Sequence, residues 1–194
     1  PADELQVLTP PRRGDAGTRS LNFALQAALN PPKPGKQERR FGELIFREGD
    51  RVMQTRNDYD VVWQKEDGTA GTGIFNGDVG KIAKIDPSGE LLEIVFDDRT
   101  ATYTSDMLAE LDMAYAMTVH KAQGSEYRGV VFVGAPCAPS LMVRGVLYTA
   151  ITRARELLVI VGDDSAVNKM AENDRRSRRY SGLKWRLRKG GEEK

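Results

Sequence analysis

Two unbroken apolar runs, Val130-Val131-Phe132-Val133 and Leu157-Leu158-Val159-Ile160-Val161, set the strongest limit on what this chain can fold into. Neither alternates with polar residues, so each is predicted to be a strand buried on both faces, as in a parallel sheet. Between them, from Leu141 to Thr152, the residues Val143, Val146, Leu147, Ala150 and Ile151 recur at helical spacing. Strand, helix and parallel strand in that order make one right-handed crossover. Ahead of this unit, Ala114 to Val119 favours a strand, and Lys121 to Ser125 ends it with a turn at Gly124. In open parallel sheets ligands bind outside the carboxyl ends of the strands, so the polar turn Val119 to Glu126 is expected at that rim. Arg153 and Arg155 close the intervening helix.

The rest of the chain is predicted to complete this sheet and to interrupt it. Leu5 to Leu8 reads as a buried strand with a sharp exit at Thr9-Pro10-Pro11. From Gly17 to Leu29, Leu21, Ala24, Leu25, Ala28 and Leu29 repeat at helical spacing, with Thr18 the expected N-cap and Asn30-Pro31-Pro32 the stop. Residues 31–40 read as a polar linker. The composition changes at Phe41. Short strands follow, punctuated by Gly49-Asp50, Asn76-Gly77-Asp78, Pro87-Ser88-Gly89 and Asp97-Asp98, a pattern that suggests a small antiparallel barrel of SH3-like type. The expected division is 1–40 and 112–173 for the α/β domain, 41–111 for the inserted barrel and 174–194 for a basic, disordered tail. Ala166 to Ala171 is expected to form a last helix.

With 194 residues the chain can bury one core, or one core and a small accessory barrel. No apolar run is long enough to span a bilayer and no leader is evident at Pro1, so a cytoplasmic location is expected. One cysteine, Cys137, and one histidine, His120, leave no basis for a disulfide or a His/Cys metal site. The net charge of +1 does not mark a nucleic-acid binder. Its distribution is more informative, because Arg175, Arg176, Arg178, Arg179, Lys184, Arg186, Arg188 and Lys189 crowd the C-terminal end, with Tyr180 and Trp185 able to stack on bases.

Two blocks carry a resemblance. Thr118-Val119-His120-Lys121-Ala122-Gln123-Gly124-Ser125-Glu126 resembles motif V of superfamily-one helicases, and Tyr148-Thr149-Ala150-Ile151-Thr152-Arg153-Ala154-Arg155 resembles motif VI. Their order and separation are similar to those of RecD-like DNA helicases, the exonuclease V alpha-subunit group, over roughly residues 4 to 165. The resemblance implies a RecA-like parallel sheet with helices on both faces and an SH3-like insertion. It implies that Arg153 is an arginine finger on the γ-phosphate of ATP, a task suited to a planar, permanently charged fork. Gly124 and Glu126 would meet the nucleotide and its ribose, and Gln123 would sense it. Thr118, His120 and Lys121 would face single-stranded DNA. A second phosphate-contacting arginine is expected near the first strand, with Arg13 the candidate and Arg12 and Arg19 close behind.

Two acidic stretches imitate a magnesium-binding strand, Leu92 to Asp98 and Leu157 to Asp164, but no G-x-x-x-x-G-K-[ST] accompanies them. Asp97-Asp98 is more simply a hairpin turn, Asp163-Asp164 a strand exit, and Gly68, Gly71 and Gly73 a flexible loop. The chain therefore reads as the second motor domain of an ATP-dependent helicase, with the phosphate loop and the Mg2+ ligands on a preceding domain of the same polypeptide. By itself it is expected not to hydrolyse ATP. Single-stranded DNA, that preceding domain and exonuclease subunits are the expected partners, and kinship implies 5′ to 3′ movement. The alternatives are a nucleic-acid-binding module or a protein-docking module with no nucleotide role, neither of which needs Arg153, Gln123 and Glu126 together.

Overall fold

The structure, a computed structural model, describes residues 4–175. Its strands, in chain order, are β1 (Leu5–Thr9), β2 (Glu38–Phe41), β3 (Leu44–Arg47), β4 (Arg51–Gln54), β5 (Asp58–Gln64), β6 (Ala70–Ile74), β7 (Val79–Ile85), β8 (Leu91–Phe96), β9 (Arg99–Thr104), β10 (Leu111–Met113), β11 (Ala116–Thr118), β12 (Tyr127–Gly134) and β13 (Ala154–Gly162). The helices are α1 (Thr18–Leu29), α2 (Arg144–Ile151) and α3 (Asp164–Glu172). Four strands form a parallel sheet in the order β11-β1-β12-β13. Seven others form an antiparallel sheet in the order β10-β4-β7-β8-β9-β5-β6, and β2 pairs with β3 apart from both.

Each sheet has its own core, and β4 divides them. Val52 belongs to the barrel core with Phe46, Ile74, Ile82, Ile94, Phe96 and Tyr103. Its neighbour Met53 points the other way, into the α/β core with Leu8, Met117, Val130, Phe132, Val146, Leu147 and Met170. Alternation along one strand thus makes a wall common to both units. Asp97-Asp98 is the two-residue turn of the β8–β9 hairpin, Phe96 pairing with Arg99.

Several expectations need correction. The run Leu157 to Val161 is not buried on both faces: β13 is an edge strand in which Leu157, Val159, Ile160 and Val161 are exposed. Gly17, not Thr18, occupies the N-cap of α1, and it supplies no side chain to cap the helix. The linker read over 31–40 ends in β2. Gly71 and Gly73 lie in β6, not in a loop, with Gly71 close against the Trp63 ring. Asp163 does more than end β13: its side chain accepts a 2.7 Å hydrogen bond from the Ser165 N–H and caps α3. The basic run 176–194, with Tyr180 and Trp185, lies outside the described residues.

The join of β13 to α3 depends on glycine. Gly162 has φ 133, and a Cβ there would meet the Gly134 carbonyl oxygen at 2.2 Å. Backbone cannot give way as a flexible side chain can. Gly162→Ala is expected to destabilise the fold by about 2 kcal/mol, lowering Tm by about 4–8 °C in a thermal melt.

Candidate nucleotide and nucleic-acid site

The two motif-like blocks meet on the parallel sheet, but not at the rim that its strand order first suggests. Thr118 ends β11 level with Thr9, at the carboxyl end of β1. β12 lies on the other side of β1 and runs parallel to it, starting at Tyr127 below the level of Leu5. The connection 119–126 must therefore run from the carboxyl end of one strand back to the amino end of another. Its first residues stand at the carboxyl rim. Ser125 and Glu126 stand at the amino ends of β12 and β13, which corrects the expectation that the whole turn lies at the carboxyl rim.

The turn is held by its own backbone. Val119 N–H donates to the Thr9 carbonyl at 3.1 Å, Lys121 N–H and Ala122 N–H donate to the Thr118 carbonyl at 2.9 and 3.2 Å, and Ser125 N–H donates to Ala122 at 3.2 Å. Val119 and Ala122 are buried and anchor it, which leaves His120, Gln123, Gly124 and Glu126 exposed. Gly124 has φ 89, a left-handed conformation that glycine adopts without strain.

Arg153 joins this turn to α2. Its Nη1 donates to the Ser125 carbonyl at 2.9 Å, and its Nε to the Thr149 carbonyl at 3.3 Å at the end of α2. Its backbone carbonyl accepts from Tyr127 N–H at 2.8 Å. The guanidinium is half-buried and spans both motif-like blocks. Two residues beyond Arg153 and one beyond Ser125, Arg155 Nε donates to Glu126 Oε2 at 2.7 Å, both side chains being exposed. Two arginines thus dock on two successive turn residues. The Glu126 carboxylate, expected at a ribose, is thus held by Arg155, a residue for which the sequence suggests no role. Beside them, Val119, His120, Gln123, Arg144, Tyr148 and Thr149 border a cleft of about 560 Å³.

The first-strand arginines stand elsewhere. Arg12, Arg13 and Arg19 line a separate cavity beside α1. Arg12 reaches Asp112 at 3.7 Å, Arg19 pairs with Glu43, and Arg13 is exposed. Burial lowers the pKa of the Lys121 ammonium, Asp112 opposes that shift, and Arg12 adds to it. The structure does not bring Arg13 to Arg153. Among the described residues no group of three or more His, Cys, Asp and Glu side chains could hold a metal ion, and no helix is long and apolar enough to cross a membrane.

Sequence reading missed one cluster, having taken Gly49-Asp50 for turn punctuation. Asp50 is fully buried. Its Oδ1 accepts from Asn30 Nδ2 at 2.7 Å and from the Tyr115 hydroxyl at 2.8 Å; its Oδ2 accepts from Gln26 Nε2 at 2.6 Å and from Arg47 N–H at 2.8 Å. Burial, and next the nearby carboxylate, push the Tyr115 phenol pKa up. One barrel carboxylate thereby fixes α1 and the strand connection into β11. The signal in the sequence is the amide Gln26, which lies four residues from Asn22 on the buried side of α1.

Comparison with known proteins accounts for both halves of the molecule. Residues 21–96 match the family model of the ATP-dependent RecD-like DNA helicase SH3 domain, and residues 113–161 match that of the UvrD-like helicase C-terminal domain. The ATP-dependent RecD2 DNA helicase of Deinococcus radiodurans is 38% identical over 174 residues, covering 90% of this chain and 22% of that protein. The chain belongs to the RecD-like helicase family. The RecBCD enzyme subunit RecD of Mycolicibacterium smegmatis is 31% identical over 192 residues, covering 97% of this chain and 30% of the relative. The RecD-like chain thus spans less than a third of the length of these relatives and corresponds to their C-terminal part. Bacteroides Pif1 bound to ssDNA shares the fold, with a TM-score of 0.56 at 17% identity over 98% of this chain and 46% of that one.

Proposed function

We propose that this chain is the second motor domain of an ATP-dependent DNA helicase, and that Arg153 completes an ATP site whose phosphate loop and Mg2+ ligands belong to a preceding domain of the same polypeptide. The observation that carries this reading is the Arg153 guanidinium, which bonds the end of α2 and the Ser125 carbonyl at once. Held by these two bonds at the junction of both blocks, the guanidinium keeps its charge beside the turn, where it would meet a γ-phosphate brought up by the facing domain and stabilise the charge that develops during phosphoryl transfer.

Gln123, Gly124 and Glu126 form the nucleotide side of the same turn. Gly124 allows close approach of backbone, and Arg155 orients the Glu126 carboxylate towards a ribose hydroxyl. Thr118, His120 and Lys121, at the other end of the turn, contact single-stranded DNA through hydroxyl, imidazole and ammonium. One segment thereby connects the two ligands, and a change at the nucleotide end is felt at the DNA end. ATP and Mg2+ serve the full-length enzyme; movement 5′ to 3′ and association with exonuclease subunits belong to the same proposal. Arg13, with Arg12 and Arg19 close behind, remains the candidate for a second phosphate contact, and the three line one cavity beside α1. The segment division of 1–40 and 112–173 for the motor domain, 41–111 for the barrel and 174–194 for a basic tail is retained in this proposal.

The purified 194-residue chain is expected to show no magnesium-dependent ATPase activity above background, with or without single-stranded DNA. A phosphate-release assay on it alongside the full-length protein decides the matter. Robust turnover by the chain alone would refute the half-motor reading.

A further inference from the structure

From β4 of the barrel, Arg51 reaches the amino end of the parallel sheet. Its Nη1 donates to the Leu5 carbonyl at 2.9 Å and its Nη2 to Gln6 Oε1 at 3.0 Å. Gln6 is fully buried in β1. Its amide nitrogen donates to the Ala114 and Tyr115 carbonyls at 3.3 and 3.2 Å, and Ala114 N–H donates to the Arg51 carbonyl at 2.9 Å. Arg51, Gln6 and Ala114 thereby close a ring of hydrogen bonds through β4, β1 and the connection from β10 to β11. A buried amide whose oxygen and nitrogen are both engaged holds the strands it joins, because breaking either bond leaves a polar group unsatisfied in the interior.

The same end of the sheet carries Arg153. Leu5 and Gln6 stand level with Gly129 and Val130 on β12. Tyr127 begins that strand, and its N–H donates to the Arg153 carbonyl at 2.8 Å. Arg153 in turn donates to the Ser125 carbonyl at 2.9 Å, so the guanidinium is mounted on the residues that lead into β12. The Tyr127 hydroxyl donates to Met117 Sδ at 3.3 Å, which seats the ring against the core of the parallel sheet. Burial raises the pKa of this phenol, and Ser125, Arg51 and Arg153 oppose the rise. One half-buried ring thus responds to a cation of the barrel and to the cation at the end of α2. Arg51 itself does not border the cleft beside His120 and Gln123.

We propose that Arg51 is a positioning residue for the Arg153 guanidinium: by tying Leu5 and Gln6 to β4 it fixes β1 against the start of β12, and with it the Tyr127–Arg153 bond on which the guanidinium is mounted. This rests on the reading of Arg153 as an arginine finger. Rate depends steeply on such placement, since a displacement of about 1 Å at a group that meets the reacting atoms can cost about 10²-fold. Without Arg51 the Leu5 carbonyl and the Gln6 amide oxygen lose a shared donor, and the strand that carries Tyr127 is held on one side less firmly. The barrel thereby takes part in phosphoryl transfer through a residue set back from the nucleotide.

Binding of ADP alone and of ADP with aluminium fluoride, a mimic of the phosphoryl group in transfer, tests this on the full-length protein. Arg51→Ala is expected to lower kcat about 10-fold and to weaken binding of the mimic by a similar factor, while KM for ATP and Kd for ADP and for single-stranded DNA change by less than about 2-fold. Arg51→Lys keeps the charge but at most one of the two bonds, so it should lie between, at about 3-fold. A thermal melt accompanies each variant, and Arg51→Lys carries the comparison if Arg51→Ala does not fold. A purely structural role weakens ADP and the mimic alike; that result, or an unchanged kcat, overturns the proposal. Arg153→Ala, measured in the same way, separates the proposal from the reading beneath it. If Arg153→Ala weakens the mimic and Arg51→Ala does not, only the positioning role falls. If Arg153→Ala leaves the mimic bound as before, the finger falls, and the proposal with it.

Discussion

In the full-length protein, Arg153→Ala is expected to lower DNA-stimulated ATP hydrolysis by about 10³-fold while leaving affinity for single-stranded DNA largely intact. The size follows from the proposed role of the guanidinium, which would bring two donors in a fixed plane and a permanent charge to the place where negative charge accumulates on the transferring phosphoryl group. Its separation from DNA binding follows from geometry. Arg153 contacts Ser125 at the amino ends of β12 and β13, whereas Thr118 ends β11 at the opposite rim. Arg153→Lys keeps the charge and loses the fork, and should recover little turnover. Because the Ser125 and Thr149 carbonyls lose a donor in both variants, a thermal melt of each is compared with the parent; equal folding with lost turnover marks a role in the reaction. Unchanged turnover in Arg153→Ala would remove the assignment.

Asp50→Ala should have the largest effect on stability. The substitution deprives the Asn30 amide, the Gln26 amide, the Tyr115 hydroxyl and the Arg47 N–H of their shared acceptor inside a fully buried site. An unsatisfied buried donor costs about 1–3 kcal/mol, and partial relaxation brings the expected total to about 4 kcal/mol. That is a large part of the 5–15 kcal/mol typical of a domain. A urea titration should show the midpoint falling accordingly, with Tm lower by about 10 °C. Asp50→Asn keeps the shape but turns one acceptor into a donor facing donors, so it should recover only part of the loss. A change below about 1 kcal/mol in Asp50→Ala would show that the four donors find other partners.

The parts of this fold that were legible in the sequence are those where local pattern and tertiary place agree. Leu5 to Leu8, the helix after Gly17, Val130 to Val133 and the helix containing Val146, Leu147 and Ala150 each announce themselves through apolar spacing, and each is found. The run Leu157 to Val161 gave the same signal, yet its surroundings differ, because apolar periodicity reports a preference for burial and not whether the covering element is at hand. Register was not legible. The three residues of β11 pair on one side of β1 and β12 pairs on the other. No local pattern reports that swap, and it moved Ser125 and Glu126 to the end of the sheet opposite the one expected. The Asp50 cluster was hidden for a related reason: an aspartate after a glycine is ordinarily a solvated turn residue, and only long-range contacts with Asn30 and Tyr115 make it otherwise.

The alternation of Val52 and Met53 along β4 bears on how such molecules can be taken apart. Excising the barrel at its termini would strip one side from each hydrophobic interior, so neither piece is a self-sufficient module. Chimeras that exchange barrels between relatives should retain β4 and the Asp50 turn with the recipient, transplanting only the hairpins from β5 to β9. The same arrangement ties the two units mechanically, since a rotation of the parallel sheet that keeps both cores packed must carry β4, and with it the antiparallel unit, through the same angle.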